Sequence, residues 1–316
     1  MKIAFFTDSY KPYTSGVVRS IDLYTRKLRE RGHEVSIFFF VYPEAQSEEG
    51  LYRFSSIPAI THPSFRLAIP FSSQIIRKIR EIDPDIIHTH SPFIMGLLAR
   101  YMAGQLDVPL VFTYHTLYEK YAHYIPLGED LVRSIALKYV NNYCSKCDLI
   151  ITPSQYVNQK LNNVELNTSR ISLPTGIDID LYSEEKRDRI RKKYDIGREE
   201  KLFLFVGRLG KEKNIELLLN AFYKINQKQD ETRFIIVGDG PERDNLKKTA
   251  NELRIAENVI FTGVIPYEEV VEYYLDCDIF FFASQTETQG LVLLEAMAGG
   301  MPVIAVDAAG ASLMVE

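Results

Sequence analysis

At 316 residues the chain is too long for one ordinary hydrophobic core, so its length predicts two domains. Thirty-seven Lys and Arg against 42 Asp and Glu leave a formal net charge of −5, which argues against a basic nucleic-acid footprint over the whole surface and against nucleic acid as a partner. Three cysteines, Cys144, Cys147 and Cys277, supply no disulfide framework and predict a reducing compartment, and no stretch approaches the roughly twenty apolar residues of a spanning helix.

Met1–Asp8 carries a short apolar run that ends in polar residues, the pattern of a strand and not of a secretory signal. The expected location is therefore cytoplasmic, in solution or on a membrane surface without crossing it. From there apolar runs of strand length alternate with helical periodicity, the signature of parallel α/β sheets with right-handed crossovers. The first series of strands is Lys2–Phe6, Val35–Val41, Asp85–His90, Leu110–His115, Leu149–Thr152 and Arg170–Leu173. Its first helix is marked by Val17, Ile21, Tyr24 and Leu28 and stops before Arg31-Gly32-His33. A second series follows Asp195-Ile-Gly197: Leu202–Val206, Arg233–Val237, Val259–Thr262, Ile279–Ala283 and Pro302–Val306. The fold class is thus α/β, two doubly wound Rossmann-like domains over residues 1–178 and 179–316, with the charged run 186–193 in the join. Strand carboxyl ends facing a common cleft would let one domain hold a donor and the other an acceptor.

Glu287-Thr-Gln-Gly290-Leu291 through Glu295 places two carboxylates around a glycine turn between a strand and an apolar helix. The helix N-terminus offers N–H groups and a partial positive charge that suit phosphate, and Glu287 can accept hydrogen bonds from sugar hydroxyls. Glu295, two turns further on, suits another part of such a ligand, a ribose for example. The same pattern also fits a first-turn acid and a solvated or ion-paired helix glutamate. Gly207-Arg208-Leu-Gly210-Lys-Glu-Lys213-Asn214 sets cations in a turn after a strand, where Arg208 and Lys213 can hold a diphosphate without metal; a solvated basic turn is the alternative. It is no Walker loop, since Glu212 follows Lys211. Gly238-Asp239-Gly240-Pro241 has Arg243 where a dinucleotide fingerprint needs its third glycine, and reads as a tight turn.

Gly16, in Ser15-Gly16-Val17, opens the first helix where backbone can approach a phosphate. His88-Thr-His90 and His115 fall at strand ends. A metal on the histidine pair lacks partner acids at matching spacing, and His115 suits a sugar contact, proton movement at an acceptor, or a hydrogen-bonded place in the wall. Cys144-Ser-Lys-Cys147 lacks a second pair that would complete a zinc site, and Asp178-Ile-Asp180 reads as a turn more than as a metal-binding D-x-D. Phe65–Arg80 couples apolar residues to Arg77, Lys78 and Arg80, which suits a helix in an anionic membrane interface; Ile75, Ile76 and Ile79 packed on a sheet is the competing reading.

In order, Ser15-Gly16-Val17, the Gly207-Arg208…Lys213-Asn214 turn, Val237-Gly-Asp-Gly-Pro241, Phe261-Thr-Gly-Val264 and the E-x7-E of Glu287 and Glu295 resemble the retaining GT-B glycosyltransferases of family four. The resemblance covers nearly the whole chain. It implies that Arg208 and Lys213 bind a donor diphosphate, that Gly16 approaches it, and that Glu287 holds the sugar. It further implies that Gly290 and Leu291 support phosphate and sugar through backbone, that Glu295 holds the ribose, that Val264 lies beside the base, and that His115 stands close to the sugar. Within the family, Thr113–Ile125, Ser284–Gly290 and Ser64–Pro70 most resemble bacterial 1,2-diacylglycerol 3-glucosyltransferases, which implies a UDP-sugar donor, a lipid acceptor, retention at the anomeric carbon, no metal or other cofactor, and a peripheral place on the inner face of the cell membrane. Acceptors such as soluble sugars or thiols, a nucleotide-sugar epimerase and a non-catalytic nucleotide-sugar-binding protein stay open. After Val306 the sequence departs from the family pattern, so a truncated second domain is expected.

Overall fold

A computed structural model describes residues 1–13, 15–40, 49–54, 56–59, 62–68, 73–124, 128–162, 168–182, 188–229, 231–308 and 311, with backbone alone at 56–59, 62–68, 122–124 and 162. It divides into two units, Met1–Gly176 and Ile177–Glu316.

In the first unit β1 (Lys2–Phe6), β2 (Glu34–Phe40) and β3 (Leu51–Phe54) form one half of a seven-stranded parallel sheet. The other half is β6 (Ile86–Thr89), β7 (Leu110–Thr113), β8 (Leu149–Thr152) and β9 (Ser169–Ser172), in the overall order β3-β2-β1-β6-β7-β8-β9. The central strands read as continuous apolar runs because both faces are covered. Phe5, Ile37 and Phe39 pack with Val18 and Ile21 of α1 (Gly16–Glu30). Phe6, Phe38, Ile87 and Phe112 face the opposite layer, α2 (Ser73–Ile82), α3 (Ile94–Leu106), α4 (Glu129–Cys144) and α5 (Gln155–Asn162). Winding reverses between β1 and β6, so the loops after these two strands diverge and leave a crevice at the sheet's carboxyl edge.

One expectation changes here. Residues 51–68 hold β3 and a small antiparallel pair, β4 (Ser56–Ala59) and β5 (His62–Ala68). The stretch Phe65–Arg80 is therefore not one interfacial helix: it begins in a strand, and the side chains at 65–72 lie outside the described residues. In α2, Ile79 is fully buried and Ile75, Ile76 and Ile82 pack on the core, leaving Arg77 and Arg80 exposed. Burying Ile79 contributes about 1.5–3 kcal/mol, which holds that face on the sheet. Cys144 and Cys147 are likewise core residues, and burial pushes the Cys144 thiol up to about 12, so it stays protonated.

The second unit has a five-stranded parallel sheet in the order β12-β11-β10-β13-β14, built from β10 (Lys201–Val206), β11 (Thr232–Val237), β12 (Val259–Gly263), β13 (Ile279–Phe282) and β14 (Val303–Ala305). One face carries α7 (Ile215–Asn226) and α8 (Arg243–Glu252), the other α9 (Tyr267–Asp276) and α10 (Leu291–Ala298). Its reversal lies between β10 and β13. The charged run expected in the join belongs to this unit where it is described: α6 (Arg189–Lys193) docks on α9. Asp276 accepts from the backbone N–H groups of Asp188 and Ile190, both at 2.6 Å, and Arg191 pairs with Asp278 at 2.8 Å. The tail from 309 onward, apart from Ala311, lies outside the described residues.

Asp276→Ala removes two charge-assisted bonds to the start of α6, so we expect it to cost about 2 kcal/mol in urea unfolding followed by circular dichroism. A change under about 0.5 kcal/mol would show that α6 is held by other contacts.

Candidate functional site

The crevice of the second unit brings together most of the residues singled out in its sequence. After β10 the chain turns through Gly207–Asn214, and after β13 through Ala283–Gly290, the two loops that flank the reversal. Lys213 Nζ donates to Glu287 Oε1 across this gap, with side chains only 17% and 19% exposed. Burial alone would push the Glu287 carboxyl up, but the Lys213 charge, its hydrogen bond and one from Ser284 hold it below the ordinary glutamate range. Gly290 caps α10 in the left-handed region, at φ 80°, and a Cβ there would stand 3.9 Å from Glu287 Cγ and 3.1 Å from Leu293 Cδ1. The turn thus sets the backbone of Gly290 and Leu291 beside the carboxylate.

Glu212, which the sequence read only as a break in a Walker pattern, is buried beneath the cationic turn. Its carboxylate lies 3.9 Å from Arg208 Nη1 and so close under Gly210 that a Cβ there would meet it at 2.4–2.7 Å. Ser284 Oγ, whose one proton serves the Glu287 carboxylate, also stands 3.4 Å from the Glu212 carbonyl, between the two loops. The Gly238-Asp239-Gly240 turn is a backbone joint: a Cβ on Gly238 would stand 2.0 Å from the Gly207 carbonyl oxygen. Leu209 N donates to Asp239 O at 3.0 Å, and Gly238 N to Gly263 O at 2.9 Å, so the loops after β10, β11 and β12 brace one another. Val264, just past β12, is 73% exposed. Glu295 is fully buried, accepting from Tyr274 Oη at 2.9 Å and Tyr267 Oη at 3.2 Å, and is not the solvated helix glutamate that its spacing also allowed.

In the first unit the reversal is closed by a residue the sequence reading passed over. Asp8, just past β1, accepts from Ser91 Oγ and, at 3.0 Å, from Met95 N in the first turn of α3, whose own cap Phe93 has no side-chain acceptor. Burial raises its carboxyl to about 6, against the Met95 bond. An acid directly after an apolar strand was the available signal. Gly16 opens α1 and is exposed, behind the cap Ser15, whose Oγ accepts from Val18 N at 3.3 Å. The histidines converge at the ends of β6 and β7: His88 Nε2 lies 2.7 Å from Thr113 Oγ1, and His90 Nδ1 lies 2.9 Å from His115 Nε2. Burial lowers His88 to about 3 and His115 to about 4, and takes His90 well below its usual value, so all three are neutral at pH 7. One nitrogen of each histidine in the H-x-H pair is thus engaged within the fold, and among the described residues no group of three or more His, Cys, Asp or Glu is placed to hold a metal ion. Asp178-Ile-Asp180 lies at a short 3-10 turn, Ile179–Leu181.

Residues 14–181 match the model for Glycosyltransferase Family 4 and residues 186–316 that for Glycosyl transferases group 1. The chain belongs to glycosyltransferase family 4, and it is a glycosyltransferase with the GT-B fold. It is 36% identical to the alpha-monoglucosyldiacylglycerol synthase of Streptococcus pneumoniae, over 96% of this chain and 71% of that one. It is 30% identical to the enzyme of the same name from Acholeplasma laidlawii, over 96% and 80%. Among solved structures, Alr3699/HepE of Anabaena in complex with UDP superposes with a TM-score of 0.75 at 22% identity, covering 100% of this chain and 83% of that one.

The depressed Glu287 carboxyl contributes stability that is present above the ordinary glutamate pKa of about 4.3 and is lost as pH falls through its folded value. Glu287→Gln should therefore be less stable at pH 7 and lose less stability than the parent between pH 5 and 3, read by thermal melts across that range. Parallel curves for the two proteins would contradict the pairing.

Proposed function

We propose that this chain transfers a hexose, glucose in the first instance, from a UDP-sugar to the hydroxyl of 1,2-diacylglycerol or a related membrane lipid, with retention at the anomeric carbon. The observation that carries the reading is the Lys213–Glu287 pair at the reversal of the second sheet, beside the N-terminus of α10. It puts a cation, a carboxylate and the first-turn backbone N–H groups of α10 within one crevice, which is what a sugar on a diphosphate needs. Arg208 and Lys213 take the diphosphate, and the exposed backbone at Gly16, at the start of α1, suits a phosphate contact. Glu287 takes the sugar, and the Gly290 and Leu291 backbone supports both. Val264 lies by the base. Glu295 meets the ribose if a tyrosine hydroxyl, from Tyr267 or Tyr274, yields its place. As the bond between the anomeric carbon and the diphosphate oxygen breaks, negative charge develops on the diphosphate where the cations stand, and that oxygen takes the acceptor's proton as the new bond forms on the same face. The alpha-monoglucosyldiacylglycerol synthases among the relatives support the lipid acceptor.

For membrane attachment the fold supports a surface other than the apolar stripe of α2. With the apolar stripe of α2 turned inward, its contribution is the exposed charge of Arg77 and Arg80. Apolar contact falls instead to α3 and α4, which touch through the stacked rings of Phe93 and Tyr139 and through the bond from Tyr143 Oη to the Gly96 carbonyl. Phe93, Leu97 and Tyr101 recur at helical spacing on α3, as Leu131 and Ile135 do on α4, and all five are exposed, Leu131 and Ile135 by 63% and 59%. Arg100 and Lys138 stand on the same faces, matching an anionic bilayer.

Incubation with UDP-glucose and diacylglycerol in anionic vesicles should yield a glucosyl-diacylglycerol by mass spectrometry, absent without acceptor; a bound donor with no lipid product would overturn the acceptor assignment. The double change Leu131→Ser and Ile135→Ser should lower vesicle partitioning by about tenfold or more in sedimentation. Undiminished partitioning would remove α4 from the membrane face.

A further inference from the structure

His90 and His115 share one proton, and the rest of the fold decides where it sits. Their rings are nearly parallel, 27° apart with centroids at 5.2 Å, and the Nδ1 to Nε2 distance of 2.9 Å requires one nitrogen to donate and the other to accept. His90 is 2% exposed, stacked on His88 at 4.3 Å and edge-on to Phe5 at 4.9 Å, and its second nitrogen, Nε2, is buried with no hydrogen-bond partner. If His115 donated, His90 would have to carry its own proton on that partnerless Nε2, an orphaned N–H among aromatic rings. If His90 Nδ1 donates, Nε2 is a bare lone pair instead. Orphaned buried donors are the rarer of the two in folded proteins, and the surroundings of His90 offer nothing to accept from one.

We propose that His90 is a positioning residue that donates from Nδ1 to His115 Nε2, holding His115 as the Nδ1–H tautomer so that it acts as a neutral hydrogen-bond donor and not as a general base. The lone pair of His115 is then engaged by His90 and its remaining nitrogen carries the proton, leaving no site to take a proton from an acceptor hydroxyl. The low pKa that burial imposes on His115 agrees, since an imidazole so hard to protonate is a poor base at neutral pH. Register explains how the pair forms: β6 and β7 run side by side with His88 opposite Val111 and Thr89 opposite Phe112, which brings the residues just past both strands together. The role toward substrate rests on the placement of His115 by the transferred sugar; the tautomer does not.

Long-range proton–nitrogen NMR of the histidine rings at pH 7 tests the tautomer without reference to turnover. The parent should show His115 protonated on Nδ1 and His90 protonated on Nδ1. His90→Phe, which keeps a flat ring against Phe5, should move the His115 proton to Nε2, while His90→Asn, whose amide can donate in the same direction, should retain the Nδ1–H form. A parent His115 protonated on Nε2 would overturn the proposal whether or not either variant folds, as would a His90→Phe spectrum with the His115 tautomer unchanged. Transfer kinetics then address the sugar contact separately: with the tautomer as stated, His90→Phe should lose kcat and His90→Asn should recover it, and equal kcat in all three would detach His115 from the sugar while leaving the proton assignment in place.

Discussion

The ion pair between Lys213 and Glu287 is the interaction on which the rest of the second unit's chemistry depends. It joins the two loops that diverge on either side of β10 and β13, and those loops diverge because the sheet reverses its winding there. With little water around them, the two charges stabilise each other more than a surface pair does, and the Glu287 carboxyl is held below its ordinary range. Glu212 does the equivalent service for Arg208 from below: Gly210 leaves room for its carboxylate, and Gly238 and Gly240 let their turn approach the backbone of Gly207 and Leu209. A ligand carrying a diphosphate and hydroxyls would meet a crevice whose charges are already formed, with Lys213 moving from a carboxylate partner to a phosphate one.

The first unit handles its reversal with different chemistry. Asp8 bridges the loops after β1 and β6 by capping α3, and its raised carboxyl pKa records the cost of burying an acid. Next to it the histidines are kept neutral by burial and tied to Thr113 and to each other. One crevice is therefore built around a buried ion pair, the other around a hydrogen-bonded carboxylate beside neutral histidines.

The strands and the candidate site were legible in the sequence to different depths. Buried parallel strands such as Phe5–Phe6 and Ile235–Val237 have no polar face to maintain, so they stand out as apolar runs. The edge strand Leu51–Phe54 is largely half-exposed and short, and the segment after it has no alternation that marks a strand, which is why no strand was legible in 51–68. Glu287 and Glu295 look alike on the page, eight residues apart, yet one faces Lys213 and the other two tyrosine hydroxyls from α9. Glu212 sat among lysines, where an acid ordinarily means a solvated turn, and only the glycine above it and the arginine beside it bury it. Asp276 and the His90–His115 couple depend on contacts between residues 25 to 88 positions apart, which local patterning does not encode.

Calorimetric titration of UDP and of UDP-glucose into the parent, Lys213→Met and Glu287→Gln separates a working pair from a purely structural one. If the pair is a preformed donor site, Lys213→Met weakens both ligands by about tenfold or more, since it deletes a charge-assisted contact to phosphate. Glu287→Gln should then bind UDP as tightly as the parent or more tightly, because Lys213 is released from its carboxylate, while losing the share of UDP-glucose affinity that the sugar supplies. Equal loss of UDP affinity in the two variants would contradict the account, for it would mean that the pair holds the loops together and touches neither phosphate nor sugar.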